Sequence, residues 1–428
     1  MKIAIVGAGW SGLAAAVKAT QSGHQVTVFE ASRNLGGRAR ALAATLPDGQ
    51  SVTLDNGQHI LIGAYHQTLK LMRDVGVDPD TALLRLPLTM QFPDGCGLTL
   101  RLWRAPWDAL IGIATARGWT WADKLSLLRC AALWQWRGFA CPDETTVAQL
   151  CKPLSARVMH ELIEPLCVSA LNTPADRASA QVFLRVLQDS LFSTPGGSNL
   201  LLPRIDLSAC FPDAAAPWLL ERGARIVLGA RVACAHALPS GWEVQGEAFD
   251  QVLLAVGARD AARLLEQTEP HLPEPMAQRL QRWRATAQAL RFEAITTVYA
   301  YASGARLNQP MLALRSDAAN PAQFAFDRGL LDGPAGLIAL VVSASAGELA
   351  AIESQVLSQA RAQLGLELQV LRSVTEKRAT FACTAGLLRP AMDIAPGLRA
   401  SGDYVQGPYP ATLEGAVRSG LNAVTYAS

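Results

Sequence analysis

The sequence predicts an α/β protein that begins with a Rossmann-like dinucleotide-binding unit. A short apolar strand, Lys2 to Val6, runs into the glycine turn GAGWSG at residues 7–12. An alanine-rich helical stretch follows from Leu13 to Thr20, and a second strand from Gln25 ends at Glu30. Strand, glycine turn, helix and strand in this order form one βαβ unit with the G-x-G-x-x-G spacing.

The glycines and the acid of this unit have distinct physical tasks. Gly7 allows the tight turn, Gly9 lets the backbone approach a pyrophosphate, and Gly12 permits close packing of helix on sheet. Glu30 occupies the position from which a carboxylate accepts hydrogen bonds from a ribose hydroxyl. A purely structural glycine turn is the alternative, but the strand, helix and acid together favour a dinucleotide site.

Length and composition exclude several classes of protein. The 428 residues are 50% hydrophobic and 17% charged, which is too apolar for a disordered chain. A net charge of +2 provides no strong field for nucleic acid. No uncharged stretch reaches the roughly 20 residues that span a bilayer, and the first strand leaves no room for a signal peptide. We therefore expect a cytoplasmic protein of about two or three domains.

Cysteine and histidine residues show no pattern for a metal site or a catalytic nucleophile. The eight cysteines include no C-x-x-C pair and are expected to be buried thiols in a reducing cytosol. The six histidines show no metal-ligand spacing, and G-x-S-x-G, H-E-x-x-H and Walker sequences are absent. The sequence therefore disfavours metal and nucleophilic catalysis.

Two further stretches bear on which dinucleotide is bound. The sequence LGGR at residues 35–38 offers a guanidinium that can bridge phosphate oxygens, although an ordinary Gly-Gly turn with a solvated arginine is the alternative. Near the C-terminus, GDY at residues 402–404 precedes a loop that enters a helix near Thr412. The free N–H groups at that helix start can face an electron-rich group such as the N1/O2 edge of a flavin.

These blocks, together with DNGQH at residues 55–59, resemble the FAD-dependent amine oxidase and phytoene desaturase superfamily over nearly the whole chain. Two stretches, Glu164 to Pro174 and Asp55 to Ala64, look more specifically like its squalene-associated branch, the hydroxysqualene dehydroxylases. The resemblance implies an α/β (α+β) architecture. A Rossmann-like FAD-binding domain of the glutathione-reductase and amine-oxidase type would carry a mixed-sheet and helical substrate domain.

The resemblance implies cofactor contacts by position. Gly7, Gly9 and Gly12 would line the pyrophosphate of FAD, and Glu30 its adenosine ribose. The other implied contacts are Gly37, Arg38, Gly57, Val232, Gly402, Asp403, Thr412 and Leu413. Val232 would bracket the adenine and the Leu413 amide would lie near the flavin O2. Many relatives carry an arginine two residues after the ribose acid, where this chain has Ser32.

The resemblance also implies a discontinuous FAD-binding domain, built from residues 1–75, 195–265 and 395–428. The intervening segments 76–194 and 266–394 would form the substrate domain. A second nicotinamide-type fingerprint is absent from the sequence. The electron donor is therefore expected to be external, either a diffusing molecule or another protein.

Tryptophan and basic residues are concentrated between Arg101 and Ala140. Six of the ten tryptophans and six basic residues lie there: Trp103, Trp107, Trp119, Trp121, Trp134, Trp136, Arg101, Arg104, Arg117, Lys124, Arg129 and Arg137. One helical face carries four apolar residues: Leu125, Leu128, Ala132 and Trp136. This combination suits a water–lipid interface and predicts a peripheral protein on the inner face of the cytoplasmic membrane. The alternative is that these aromatic residues pack inside the substrate domain.

The resemblance implies the reductive removal of a hydroxyl from hydroxysqualene, which gives squalene and water in squalene and hopanoid biosynthesis. It implies an apolar C30 isoprenoid substrate, with squalene-forming prenyltransferases as neighbouring enzymes. The candidate proton donors are His59, Asp55 and Tyr409, with a purely structural histidine or a chain of waters as alternatives. Competing hypotheses are a carotenoid-type desaturase, an amine oxidase, and a flavin-free prenyl-binding protein similar to the GDP-dissociation inhibitors.

Overall fold

The computed structural model describes residues 1–101 and 107–425, which form a mixed structure of helices and sheets. The strands are β1 (Lys2–Val6), β2 (Gln25–Glu30), β3 (Ala41–Thr45), β4 (Ser51–Asp55), β5 (Leu61–Ile62), β6 (Leu83–Leu86), β7 (Thr89–Gln91), β8 (Gly97–Thr99), β9 (Leu200–Pro203), β10 (Arg225–Leu228), β11 (His236–Ala237), β12 (Trp242–Val244), β13 (Glu247–Phe249), β14 (Gln251–Leu254), β15 (Phe292–Tyr301), β16 (Met311–Ala313), β17 (Phe324–Asp327), β18 (Leu337–Ser345), β19 (Gln369–Phe381), β20 (Asp393–Ala395) and β21 (Leu398–Ala400).

The helices of the same ranges are α1 (Trp10–Gln21), α2 (His66–Asp74), α3 (Pro79–Ala82), α4 (Trp107–Thr115), α5 (Trp121–Trp136), α6 (Val147–Leu150), α7 (Ala156–Val158), α8 (Glu164–Leu171), α9 (Ala180–Leu187), α10 (Leu207–Cys210), α11 (Pro212–Leu220), α12 (Ala258–Thr268), α13 (Glu274–Ala289), α14 (Leu349–Leu364) and α15 (Leu413–Thr425). Two π-helical segments, π1 (Met159–Ile163) and π2 (Gln188–Ser193), extend neighbouring α-helices. Short 3₁₀ turns lie at Glu269–His271 and Arg328–Leu330.

The first sheet is mainly parallel, with strand order β10-β2-β1-β14-β21-β20. Strand β1 pairs in parallel with β2 on one side and β14 on the other, and β20 pairs antiparallel to β21. After a polar first residue, β1 and β14 consist of buried apolar residues, as expected for parallel strands covered on both faces. The sheet, its glycine turn and the following helix confirm the predicted α/β class.

The second sheet is antiparallel, with strand order β16-β17-β18-β15-β19. Because side chains alternate along a strand, each face of this sheet has its own packing partner. Val298 and Ile338 pack with residues of α14, whereas Tyr299 and Val341 belong to the large core that includes residues of the first sheet. Strands β5, β9 and β6 form a smaller antiparallel sheet beside it.

Helices α1 and α15 approach each other closely, and glycines make the approach possible. A Cβ atom at Gly12 would lie 1.9 Å from the carbonyl oxygen of Gly7, and one at Gly420 would lie 2.1 Å from that of Ser11. Any larger residue would therefore push the backbones apart. The packing of α15 on α1 brings Thr412, just before α15, to the cavity that the Gly7 turn lines.

The tryptophan-rich segment forms α4 and α5, while Trp103 and Arg104 lie outside the described residues. The buried face of α5 carries Leu127, Cys130 and Trp134. Of the predicted apolar stripe, Leu128 packs partly against the core, whereas Leu125 is 46% and Trp136 82% exposed. Within the two described ranges, no helix is both long and apolar enough to cross a membrane.

Replacing Gly420 by alanine tests the close packing of α15 on α1. We expect Gly420→Ala to lower the free energy of unfolding by about 1–3 kcal/mol, because the new methyl group overlaps the Ser11 carbonyl. Gly407→Ala is the matched control, since its Cβ meets its nearest atom at 3.8 Å. Urea unfolding of the two variants checks this, and equal stabilities would contradict the packing argument.

Candidate active site

A cavity of about 940 Å³ opens at the carboxyl end of β1, between the two large sheets. It is lined by most of the predicted FAD contacts: Gly7, Gly9, Glu30, Gly37, Arg38, Gly57, Val232, Gly402, Asp403, Thr412 and Leu413. Gly12 is not among the lining residues and packs against Gly7 instead. The fold thus gathers residues from both ends of the chain around one space, which we call the cofactor cavity.

The phosphate end of the cofactor cavity is formed by the turn between β1 and α1. Gly7 has φ +107°, and a Cβ there would lie 2.6 Å from the carbonyl oxygen of Ala255. Gly9 precedes α1 without a side-chain cap, so the start of the helix is open to an anion. The Glu30 carboxylate accepts the Ala8 N–H at 2.7 Å and the Ser32 N–H at 2.8 Å. This fixes the acid at the end of β2, beside the turn.

Three buried polar atoms of the cavity residues have no hydrogen-bond partner among the described residues. They are Ser11 Oγ, Ser401 Oγ and the Tyr404 hydroxyl. Buried polar atoms are normally paired, so these three point to a polar ligand. With the open helix start and Glu30, they fit a dinucleotide such as FAD, which the residues named above would hold.

Arg38 and Asp403 form an ion pair across the cofactor cavity, with 2.6 Å between Nη2 and Oδ1. Arg38 also donates to the backbone carbonyls of Arg378 and Ala379. The nearby Asp403 carboxylate raises the pKa of the Arg38 guanidinium. Arg38 is therefore held in place rather than being a freely solvated residue of a Gly-Gly turn.

The start of α15 is organised by Thr412. Its hydroxyl accepts the Gly415 N–H at 2.9 Å and donates to the Tyr409 carbonyl at 3.0 Å. The preceding Ala411 has φ +59°, a left-handed conformation that is uncommon for a residue other than glycine. Strained backbone of this kind clusters at ligand-binding sites, which agrees with the position of this loop in the cavity wall.

A second, mostly apolar space adjoins the cofactor cavity, and we call it the apolar chamber. Both spaces share part of their lining: Ile60, Tyr65, Ser169, Ala170, Phe324 and Thr412. The chamber is further lined by Ile62, Ala64, Leu88, Thr89, Met90, Leu166, Val186, Leu187, Asp189, Ser190, Leu191, Ser198, Leu200, Met311 and Tyr409. The two stretches that resemble the squalene-associated branch, 55–64 and 164–174, both contribute to this wall.

His59, the first candidate proton donor, lines the cofactor cavity. Its Nδ1 lies 2.8 Å from the Gly57 carbonyl oxygen, so the tautomer consistent with this contact donates from Nδ1. Burial lowers the pKa of His59, and the positive charge of Arg38 adds to this effect. The imidazole is therefore neutral at pH 7, with Nε2 as a hydrogen-bond acceptor.

Asp55, the second candidate, lines neither space. Its carboxylate accepts the Leu207 N–H at 2.8 Å, and burial raises its pKa to about 6. The Tyr299 hydroxyl donates to the Asp55 backbone carbonyl at 3.0 Å. These contacts hold strand β4 against the start of α10 and the second sheet.

Tyr409, the third candidate, lines the apolar chamber together with two residues that sequence reasoning missed, Tyr65 and Asp189. Tyr65 precedes α2 and, like Thr412, lies in the wall that the two spaces share. Asp189 belongs to π2, and no sequence pattern singles it out. A signal did exist for the chamber itself, because Ile60, Ile62 and Ala64 alternate along the chain as residues facing one side of a strand do.

Comparisons with known proteins agree with this geometry. The family model for flavin containing amine oxidoreductase matches residues 10–427. A hydroxysqualene dehydroxylase of Rhodopseudomonas palustris is 30% identical, over 98% of this chain and 96% of that protein. One of Zymomonas mobilis is 26% identical over 99% and 98% of the two chains. A zeta-carotene desaturase of Synechocystis matches 19% of this chain at 35% identity.

A solved structure shares the fold over the whole length. An oxidoreductase from Methanosarcina mazei superposes with a TM-score of 0.73 at 17% identity, covering 99% of this chain and 100% of that one. The fold and the cavity define a flavoprotein with a Rossmann-like cofactor domain. The chain belongs to the flavin containing amine oxidoreductase family. This membership confirms the predicted FAD cofactor and the predicted oxidoreductase class.

Replacing Glu30 tests the adenosine end of the cofactor cavity. We expect Glu30→Gln to raise the Kd for FAD about tenfold or more, because the amide provides one acceptor oxygen where the charged carboxylate provides two. Equilibrium titration of apoprotein with FAD measures this change. Glu367→Gln is the control, since Glu367 is exposed and pairs with Arg361 at the surface. Equal FAD affinities for the two variants would contradict the assignment of Glu30.

Proposed function

We propose that the protein reductively removes the hydroxyl of hydroxysqualene, giving squalene and water. The observation that carries this proposal is the apolar chamber, which adjoins the cofactor cavity and shares six wall residues with it. Its volume of about 110 Å³ holds the reacting segment of a long hydrocarbon rather than the whole chain. Its one lining carboxylate, Asp189, is already paired with Arg185 and so is not free to neutralise a charged amine. The full-length similarity to proteins named hydroxysqualene dehydroxylase supports the same substrate.

The reaction requires a hydride and a proton, which together amount to two electrons and two protons. Reduced FAD, when bound, supplies a hydride. The C–O bond at the hydroxyl-bearing carbon breaks, the hydride forms a C–H bond there, and the proton converts the departing hydroxyl to water. The cation character at this carbon is conjugated with a double bond, so modest acid assistance is sufficient. The electrons come from an external donor.

The chain's own contribution is orientation and the exclusion of water. Ile60 and Phe324 lie where the chamber adjoins the cofactor cavity and keep the reacting carbon in apolar surroundings. Neutral His59 lines the cofactor cavity without bringing a charge into it. A chamber with these walls disfavours the escape of a hydrocarbon into water, because each buried CH₂ group contributes about 0.8 kcal/mol.

Product analysis under anaerobic conditions tests the proposed reaction. Chemically reduced holoenzyme mixed with hydroxysqualene should form squalene, whereas oxidised holoenzyme should form none. Gas chromatography with mass spectrometry measures the product. A carotenoid-type desaturase or an amine oxidase runs the same cofactor in the oxidising direction. Turnover of a polyene or an amine by the oxidised enzyme, without squalene from the reduced one, would therefore overturn the proposal.

We further propose that the protein binds the membrane surface through the tryptophan face of α4 and α5. This face consists of Trp107, Leu110, Trp121, Leu125, Leu133 and Trp136, of which Trp107, Trp121 and Trp136 are 62%, 77% and 82% exposed. Lys124 stacks on the Trp121 ring at 5.0 Å. Exposed tryptophans beside basic side chains match an anionic lipid surface. An apolar substrate, supplied by a neighbouring squalene-forming prenyltransferase, then reaches the protein without crossing water.

Vesicle flotation tests this membrane proposal. Wild-type holoenzyme should float with vesicles of phosphatidylcholine and phosphatidylglycerol, and the double variant Trp121→Ala/Trp136→Ala should bind at least about tenfold more weakly. Trp218→Ala is the control, since that ring lies in α11 and stacks with Arg222. Wild-type protein that stays at the bottom of the gradient contradicts the proposal.

A further inference from the structure

Tyr409 and Asp189 place a phenol and a carboxylate in the wall of the apolar chamber. The Tyr409 phenol lies near Asp189 and Arg185, whose charges act on it. Arg185 Nε in turn donates to Asp189 Oδ2 at 2.7 Å, and the Asp189 side chain is 14% exposed. Asp189 is thus the carboxylate among the chamber's lining residues, and Arg185 of α9 holds it in place.

The position of the Tyr409 ring is fixed from its other side. The Arg418 guanidinium lies over the ring, 4.6 Å from its centroid, and is itself bound to Glu414 at 2.6 Å. The Tyr409 carbonyl lies so close to Gly415 that a Cβ there would be 1.8 Å from the oxygen. The phenol is therefore preorganised before any ligand arrives.

The neighbours of the Tyr409 phenol leave its oxygen able to accept a hydrogen bond from the chamber. A carboxylate only accepts hydrogen bonds, so the Asp189 charge turns the Tyr409 O–H toward itself rather than toward the rest of the chamber. A hydroxyl oxygen also has acceptor positions, and the Tyr409 oxygen can use one to accept an O–H from the chamber. A substrate hydroxyl can fill it, whereas a hydrocarbon leaves it without a partner.

We propose that Tyr409, positioned by Asp189 and Arg185, accepts the O–H of the substrate and makes the chamber select a hydroxylated isoprenoid over its dehydroxylated product. The inference rests on the proposed function. Tyr409 touches the substrate, and Asp189 is a positioning residue that acts through it. In this arrangement the lone pairs of the substrate oxygen stay free to receive the proton that completes water. Loss of the contact after reaction promotes product release.

Asp189 is carried by the π-helical segment π2, which supports a role beyond stability. Short π-helical segments occur frequently at functional sites, because the extra residue redirects the side chains that follow. Here π2 follows α9 directly and places Asp189, Ser190 and Leu191 in the chamber wall. A role in selection also explains why a carboxylate is placed in a wall made mainly of hydrocarbon.

Equilibrium binding to oxidised holoenzyme tests this selection without turnover. Hydroxysqualene and squalene are titrated in the same detergent, with the absorbance of bound FAD as the signal. Wild-type protein should bind hydroxysqualene more tightly. Tyr409→Phe and Asp189→Asn should each reduce the ratio of the two affinities about tenfold, with squalene affinity little changed. Tyr301→Phe is the control, since Tyr301 lines neither space.

The outcomes separate this inference from the proposed function. A wild-type preference that both variants retain overturns the inference, because a merely structural role does not move the affinity ratio. A wild-type protein without any preference overturns it as well. If that protein nevertheless forms squalene when reduced, the proposed function stands, and if it forms none, both fail. The two substituted residues lie on different elements. If one variant misfolds, the affinity ratio of the other still tests the inference.

Discussion

The close backbone packing at the glycine turn is the constraint on which the rest of the structure depends. Gly12 lies against the Gly7 carbonyl and Gly420 against that of Ser11, so no side chain separates the turn, α1 and α15. The two ends of the chain therefore meet at the carboxyl end of β1. The Arg38–Asp403 ion pair and the Thr412 loop then close the cofactor cavity from the C-terminal side. A wider spacing at either glycine would separate the groups that form this wall.

The cofactor half of the protein could be predicted because its signals are local. The strand, glycine turn, helix and Glu30 lie within thirty residues of one another. The tight turn and the close packing of helix on strand require glycine at fixed positions, so the sequence shows where each element lies. The contact between Arg38 and Asp403 could not be derived in that way, since the two residues are far apart in sequence and meet through sheet and helix packing. The resemblance to a known family supplied both positions, and the structure shows how they are joined.

The substrate half was less predictable for a physical reason. The alternation of Ile60, Ile62 and Ala64 is that of an ordinary half-buried strand, and sequence does not show that the buried side faces a cavity. Phe324 and Asp189, on the same wall, come from distant elements. The exposure of the tryptophan-rich segment was predicted only in part, for the same reason. Trp119 and Trp134 are buried as core residues, whereas Trp121 and Trp136 are exposed, and periodicity alone does not say which face has a partner.

The central claim is that the apolar chamber holds the substrate beside the cofactor cavity. A structure of the holoenzyme with hydroxysqualene bound tests this claim most directly. We predict density for the hydrocarbon along Ile60, Leu166 and Phe324, with FAD in the cofactor cavity and the hydroxyl-bearing carbon near Thr412. Density for the hydrocarbon outside the chamber, or a chamber closed by its own side chains when FAD is present, would contradict the account.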